Sequence, residues 1–281
     1  MSTQATVLVI GGTGTTGSQV AALLRKQAAT VRIGTRAPVT GDPEHVRFDW
    51  SEPATHGPAV AGVDRVYLLA PPGVAEPGPL VEEFLAEAVR AGVRRVVLLS
   101  SSAVPDGESG LGALPPLVRA TMPEWAVLRP SWFMQNFTGQ HATGIRERGE
   151  IITATGEGRV AFVDAADIAA VAARALLDPV PHNTDHLITG PEALSYAGAA
   201  AIISDATGRV VRHRAVSTAE MTTRFVATGL SPGYAAMLAG LDEDIRHGAE
   251  DRVTPTVQDV TGRPARSFAE FVSAHRDAFA A

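Results

Sequence analysis

The run "VLVIGGTGTTGSQVAALL", residues 7–24, joins three signals in one stretch. A continuous apolar strand comes first, a glycine-rich turn follows, and an amphipathic helical pattern starts directly after it. Gly12, Gly14 and Gly17 form a G-x-G-x-x-G pattern that Gly11 extends. Alone, such a pattern is weak, because glycine-rich turns are common. Placed between a strand and a helix, it reads as a dinucleotide-binding turn. The first glycine is expected to allow the tight turn and the middle one the approach of backbone to a pyrophosphate. The last allows close helix–strand packing. The amides of Thr15 and Thr16 are then expected to point at phosphate, helped by the helix N-terminus.

Outward from this run, strands and helices alternate. "TVRIGT" (30–35), "VRF" (46–48), "DRVYLLA" (64–70), "RRVVLLS" (94–100) and "WAVLRP" (125–130) are strand-like. "LVEEFLAEAVRAGV" (80–93) has helical spacing and ends at Gly92. Apolar strands separated by helices predict an α/β fold, a doubly wound parallel sheet with helices on both faces. Beyond residue 130 the rhythm weakens. The spacing predicts one helix over 131–149, short strands at 151–155 and 159–163, and a helix over 164–178 with Asp164 as N-cap. "DHLITG" (185–190) reads as a seventh strand, and the rest as mostly helical. The expected organisation is a nucleotide-binding domain from 1–131 and 151–192, with a smaller, mostly helical substrate-side lobe from 132–150 and 193–281.

Composition narrows the function. Hydrophobic residues make up 45% of the chain, enough for a packed core. Cysteine is absent, which removes disulfides, thiolate chemistry and Cys-ligated metals, and fits a reducing cytoplasm. The net charge of −6 argues against nucleic-acid binding. No apolar run approaches the ~20 residues of a membrane span, and Met1–Ala5 lacks the basic start of a leader. No metal site is expected: His182 and His186 flank a turn without an evident acid or Cys partner. Asn136-Phe137-Thr138 matches a glycosylation sequon, which a chain without a leader would not use. The expected partner is a small molecule, with no nucleic acid and no membrane, and the chain a monomer or homodimer.

The second strand bears on the choice of dinucleotide. An acid at its end takes a ribose 2′-OH, whereas an Arg accommodates a 2′-phosphate. Here the strand ends "GTRAP", with Arg36 and no acid before Asp42, which favours NADPH.

"GGTGTTG", "AVLRPSWFMQNF" (126–137), "DAADIAAVAARAL" (164–176) and "HLITGPEALSY" (186–196) together resemble the NmrA-like atypical short-chain dehydrogenases. The Trp-Phe-Met-x-Asn-Phe form at 132–137 and the ending "VTPTVQDVTGRPARSFAEFV" (253–272) are most similar to the branch of ergot-alkaloid-type iminium reductases and NAD(P)H:quinone reductase-like proteins. The resemblance covers nearly the whole chain. It implies that Gly11, Thr13, Gly14, Thr15, Thr16 and Gly17 hold the diphosphate. It implies that Asp49, with Trp50 beside it, takes the adenine amino group, and that Leu69, Ala70 and Pro71 pass the ribose. Ser100 and Pro130 would face the nicotinamide, and Trp132, Phe133, Asn136 and Phe137 the substrate, although aromatics at helical spacing are often plain core. Asp167 is read as structural.

A familiar part is missing. Short-chain dehydrogenases use Tyr-x-x-x-Lys as proton donor. Here Tyr67, Tyr196 and Tyr234 have no Lys four residues on, and Lys26 is the chain's single lysine. Ser101 and His141 are the remaining candidates for an acid. The chain is then expected to reduce an electrophile that needs no strong protein acid, such as an imine or iminium, a quinone or an enone, in a secondary-metabolic setting that the resemblance suggests. The alternatives are a redox-sensing regulator that binds NADP without catalysis, or a ketone or aldehyde reductase using water or Ser101. The apolar runs at 225–241 fit either a lid or a partner surface.

Overall fold

The computed structural model describes residues 4–280, so Met1–Thr3 of the N-terminal segment lie outside the described residues. The elements of the first half are β1 (Thr6–Ile10), α1 (Gly17–Lys26), β2 (Thr30–Thr35), β3 (His45–Arg47), α2 (His56–Val60), β4 (Arg65–Leu69), α3 (Gly78–Arg90), β5 (Arg95–Leu99), α4 (Leu114–Thr121) and β6 (Glu124–Pro130). Then come α5 (Gln135–Thr138), α6 (Ala142–Arg148), β7 (Glu150–Thr153), β8 (Arg159–Val160), α7 (Ala165–Leu177) and β9 (Thr184–Ile188). The remainder comprises β10 (Leu194–Ser195), α8 (Tyr196–Thr207), β11 (Arg212–Ala215), α9 (Thr218–Ala227), α10 (Pro232–Arg246), α11 (Thr256–Thr261) and α12 (Phe268–Ala274).

Seven strands form one sheet in the order β3-β2-β1-β4-β5-β6-β9. The ladders β1–β2, β1–β4, β2–β3, β4–β5 and β5–β6 are all parallel. This is the doubly wound Rossmann architecture that the alternation predicts, and "DHLITG" supplies the seventh strand as β9. The central strands are apolar on both faces because helices cover both: Val7, Leu8, Val9, Val66 and Val96 are fully buried. One polar exception is Arg95, 2% exposed at the start of β5. It meets Glu124 at 2.8 Å and donates to the carbonyls of Ala175, Leu176 and Asp178. A cation thus satisfies the open C-terminal carbonyls of α7 and ties that helix to the sheet.

The described residues divide into two compact units. One holds those up to Pro130 with Ala165–Leu187 and Asp259–Gly262; the other holds Ser131–Asp164, Ile188–Gln258 and those from Arg263 on. The expected boundaries differ at Ser131, 151–164 and 188–192, which group with the second unit, and at Asp259–Gly262, which groups with the first. At 151–164 and 188–192 the reason is pairing. β7 takes β11 as a parallel neighbour and β8 takes β10, so these segments build small ladders of their own.

The second unit also departs from the helix expected over 131–149. Trp132 lies in a bend and Phe133 is bridged to Val163, and the helical part is split at Gly139 into α5 and α6. Serines start four of its helices. The hydroxyls of Ser195, Ser217, Ser231 and Ser267 accept from the amides of Gly198, Glu220, Tyr234 and Glu270, the last within a full capping box. Each such cap contributes about 1 kcal/mol. Its core is aromatic: Phe137 lies 5.0 Å from Phe162, 4.7 Å from Phe268 and 5.7 Å from Tyr196 between ring centroids.

Among the described residues, no helix is long and apolar enough to cross a membrane.

Candidate dinucleotide-binding site

The turn after β1 has one residue that only glycine adopts easily. Gly11 sits at φ +69°, and a Cβ there would lie 2.8 Å from the Leu69 side chain. The left-handed residue is therefore Gly11, one place before the Gly12 that the pattern nominated. Gly12 has a different job: a Cβ on it would meet Ile33 at 2.8 Å and the Val9 carbonyl at 3.2 Å. Gly17 is the tightest, since a Cβ would stand 2.2 Å from the Gly11 carbonyl oxygen. Bare backbone at Gly17 lets α1 start against the turn. Gly14 donates its amide to the Gly11 carbonyl at 2.9 Å, closing the turn below the open amides at the head of α1.

Thr13, Gly14 and Thr15 are exposed, whereas Thr16 and Gly17 are buried. The Thr16 hydroxyl does not face outward. It accepts a hydrogen bond of 3.0 Å from the Tyr67 hydroxyl, which is fully buried on β4. Burial pushes the Tyr67 phenol above its ordinary pKa. Tyr67 is thus a prop beneath the helix start, a role that no local pattern in the sequence announced.

A cavity of about 390 Å³ opens beside this turn, at the carboxyl ends of β1 to β4. Gly11 and Thr13 line it from the turn, and Thr35 and Arg36 from the end of β2. Asp49, Trp50 and Ser51 line it after β3, and Leu69, Ala70 and Pro71 after β4. Eight residues nominated from sequence or resemblance therefore meet at one cavity. The order β3-β2-β1-β4 places it where the sheet reverses direction, the position at which open α/β sheets bind ligands.

Its electrostatics are mixed. Arg36 is exposed and has no ion-pair partner among the described residues. Hydrogen bonds from the Ser51 hydroxyl and amide, at 2.7 and 2.9 Å, hold the Asp49 carboxylate below its ordinary pKa. Arg36 and Arg47 push in the same direction. Asp49 therefore offers an ionised oxygen to the cavity at neutral pH. Ser100, at the end of β5, carries a buried hydroxyl with no hydrogen-bond partner among the described residues. An orphaned buried hydroxyl costs stability unless something satisfies it, which is the mark of a group awaiting a ligand. Ser101 beside it accepts from the Ala103 amide at 3.2 Å and keeps its own proton. Pro130 is buried, and its carbonyl accepts from the Ser102 amide at 3.0 Å.

The residues nominated for the substrate side fall in the second unit and divide. Trp132, Phe133 and Asn136 are half-buried, and Asn136 is held through its backbone by bonds to Phe133 and His141. Phe137 is a correction: it is completely buried in the aromatic core, so its ring has no face left for a ligand. His141 is a second correction. It is 9% exposed, packed on Phe137 and Tyr196, and burial lowers its pKa to about 4, so it is neutral at pH 7. Tyr196 is also buried, which raises its pKa. Asp167 is buried in the first turn of α7. His182 does have an acidic neighbour: it pairs with Asp178 at 3.1 Å and with His186 at 2.8 Å. That carboxylate stands four residues back along the chain, just past the end of α7. No group of three or more potential ligands is placed to hold a metal among the described residues.

A doubly wound sheet with a glycine turn and a cavity at its reversal point defines a dinucleotide-binding protein. The family described as NAD(P)H-binding matches residues 11–179. The oxidoreductase YesF of Bacillus subtilis is 50% identical over 277 residues, covering 98% of this chain and 96% of that protein. Agroclavine dehydrogenase of Claviceps fusiformis is 36% identical over 289 residues, covering 97% and 98%. The structure of the NADPH-dependent quinone oxidoreductase QOR2 of Escherichia coli, solved with NADPH, matches with a TM-score of 0.83 at 25% identity over 95% of this chain and 99% of that one. The chain belongs to the NAD(P)H-binding family, and its relatives include the agroclavine dehydrogenases that the resemblance pointed to. It is an NAD(P)H-dependent oxidoreductase.

Proposed function

We propose that the protein is an NADPH-dependent reductase of a small, largely apolar electrophile: an imine or iminium ion, a quinone or an enone. What carries this reading is the state of its tyrosines and its lysine. Tyr67 and Tyr196 are both buried with raised pKa, Tyr67 is committed to Thr16, and Lys26 lies in the last turn of α1. Neither of these tyrosines is placed as a free acid, and Tyr234, exposed on α10, has no Lys four residues on, which supports substrates that need no strong acid. An iminium ion becomes a neutral amine on accepting hydride. A quinone or enone becomes a stabilised oxyanion that takes its proton from water.

The bound cofactor supplies the hydride. The chain supplies binding and orientation, a large rate effect by itself. In this reading the amides of Thr13, Thr15, Thr16 and Gly17 take the diphosphate around a turn closed by the Gly14 amide, and Arg36 takes the 2′-phosphate. Asp49 accepts from the adenine amino group, while Leu69, Ala70 and Pro71 border the ribose. Ser100 and Pro130 serve the nicotinamide, with the unpaired Ser100 hydroxyl supplying the fit. Trp132, Phe133 and Asn136 are the substrate contacts. The name agroclavine dehydrogenase on one relative and quinone oxidoreductase on another supports this range of acceptors. A cysteine-free chain fits a reducing cytoplasm, as a monomer or homodimer.

The test is to titrate the protein with NADPH and NADH, then follow oxidation of the reduced cofactor against a panel of imines, quinones, enones and plain ketones. Turnover of the first three with NADPH and little on ketones is expected. Equal turnover of simple ketones would sink the missing-acid reading, and a preference for NADH would sink the role given to Arg36.

A further inference from the structure

His56 is a buried titratable residue that the cofactor reading leaves unused. It is 2% exposed at the start of α2, behind the cavity wall. Its ring stacks on Phe48 at 5.0 Å and lies edge-on to Trp50 at 5.9 Å and to Phe84 at 5.6 Å. Amid these apolar rings it makes one polar contact, Nε2 to the Asp49 carbonyl at 3.1 Å. A carbonyl only accepts, so Nε2 carries the hydrogen and donates it.

We infer that His56 is a positioning residue that aims the Asp49 carboxylate at the amino group of the cofactor's adenine and so sets the preference for that base. This rests on the reading of Asp49 given above. The Asp49 peptide is held at every polar atom. Its amide donates to the Thr55 hydroxyl at 3.0 Å, and its carbonyl accepts from the Glu52 amide at 3.1 Å. The Thr55 hydroxyl has one hydrogen, and the Glu52 carbonyl at 2.7 Å is nearer to it than the Asp49 carbonyl at 3.3 Å. The two lone pairs of the Asp49 carbonyl therefore belong to Glu52 and His56. At the side chain, Ser51 occupies Oδ1 with both its amide and its hydroxyl. Oδ2 is left as the acceptor, on a residue that lines the cavity. Without His56, the peptide joining Asp49 to Trp50 can rotate, because one of its two anchors on that carbonyl is gone. The aromatic wall would also close over a carbonyl that keeps only its bond from the Glu52 amide, with its second lone pair left without a donor.

The experiment compares dissociation constants for NADPH and for reduced nicotinamide hypoxanthine dinucleotide phosphate, which lacks the amino group, by calorimetry. The wild-type protein should bind NADPH about tenfold more tightly or better, as sites built for a specific hydrogen bond do. His56→Phe keeps the ring packing and removes the donor. It should bring the two constants to within about threefold of each other, while His56→Gln, which restores an N–H donor, should recover the preference. General destabilisation would weaken both ligands alike and leave the ratio unchanged. His56→Leu, which also lacks a donor, should reduce the ratio in the same way and serves if the Phe variant does not fold. Wild-type discrimination that survives in His56→Phe, or in His56→Leu should that be the variant that folds, overturns the inference while leaving Asp49 in place. A wild-type protein that binds both dinucleotides equally overturns the Asp49 reading itself.

Discussion

The glycine turn at 11–17 and the aromatic stretch at 132–137 stand out equally in the sequence, yet the structure uses them in opposite ways. At the turn, what matters is the side chain that is absent. Gly17 has backbone 2.2 Å from where its Cβ would be, and Thr13, Gly14 and Thr15 remain exposed around it. In the aromatic stretch, what matters is which way each ring faces. Phe137 goes wholly inward against Phe162 and Phe268, whereas Trp132 and Phe133 stay half-buried. A motif made of absent atoms works through local backbone. A motif made of large rings takes its meaning from the partners that the fold brings to it.

The sharpest way to break this contrast is Phe137→Ala. It should destabilise the protein by about 3–5 kcal/mol, as for other buried Phe residues, with an unchanged dissociation constant for NADPH in the fraction that remains folded. A denaturant titration paired with a calorimetric one checks both halves. Weakened NADPH binding without lost stability would return Phe137 to the ligand.

Gly17→Ala should do the reverse of Phe137→Ala on binding. The added Cβ collides with the Gly11 carbonyl, so the start of α1 must shift at a cost of about 3 kcal/mol, and NADPH affinity should fall at least tenfold. A thermal melt and a cofactor titration read the two effects.

Acid should weaken the aromatic core. The His141 pKa is about 6.5 unfolded and about 4 folded, so the unfolded chain binds more protons in that window. Stability is therefore full above the unfolded value and is lost as pH falls toward about 4, by up to about 3 kcal/mol. Unfolding free energy measured against pH should flatten over this window in His141→Leu, and an unchanged slope would remove His141 as the cause.

Arg36→Ala should lower NADPH affinity roughly tenfold or more and leave NADH within about twofold, because only the former carries the phosphate. Equal losses for both dinucleotides would make Arg36 a contributor to the general field. The smallest effect is expected from Tyr67→Phe, which removes the bond to Thr16. Loss of about 1 kcal/mol of stability with less than about threefold change in NADPH affinity would fit a prop; a large loss of affinity alone would not.

Much of the fold was open to reading because it depends on periodicities along the chain. The strands β1, β2, β4, β5 and β6 are runs buried on both faces, and "DHLITG" joined the sheet as the seventh strand. The second unit was read less well. β11, "RHRA", has a charged and largely exposed pattern and is a strand because β7 pairs with it. The helix expected at 131–149 failed at Trp132 and Phe133, because Val163 offered them a competing backbone partner, and it is broken again at Gly139. Contacts of high sequence separation were hidden altogether: Tyr67 with Thr16 and Arg95 with the end of α7.

The sequence by itself determined the alternating sheet, the glycine turn that starts α1, the absence of a Tyr-x-x-x-Lys acid and the absence of any thiol. Each of these is a matter of residue type and short-range spacing, on which chirality, sterics and hydrophobic periodicity act directly. Only the tertiary structure decided that Phe137 and His141 are core, that Tyr67 props the helix start, and that His56 grips the Asp49 peptide. Those outcomes depend on which surfaces meet, and burial sets both the direction of a titratable group's pKa and the number of partners a polar atom can find.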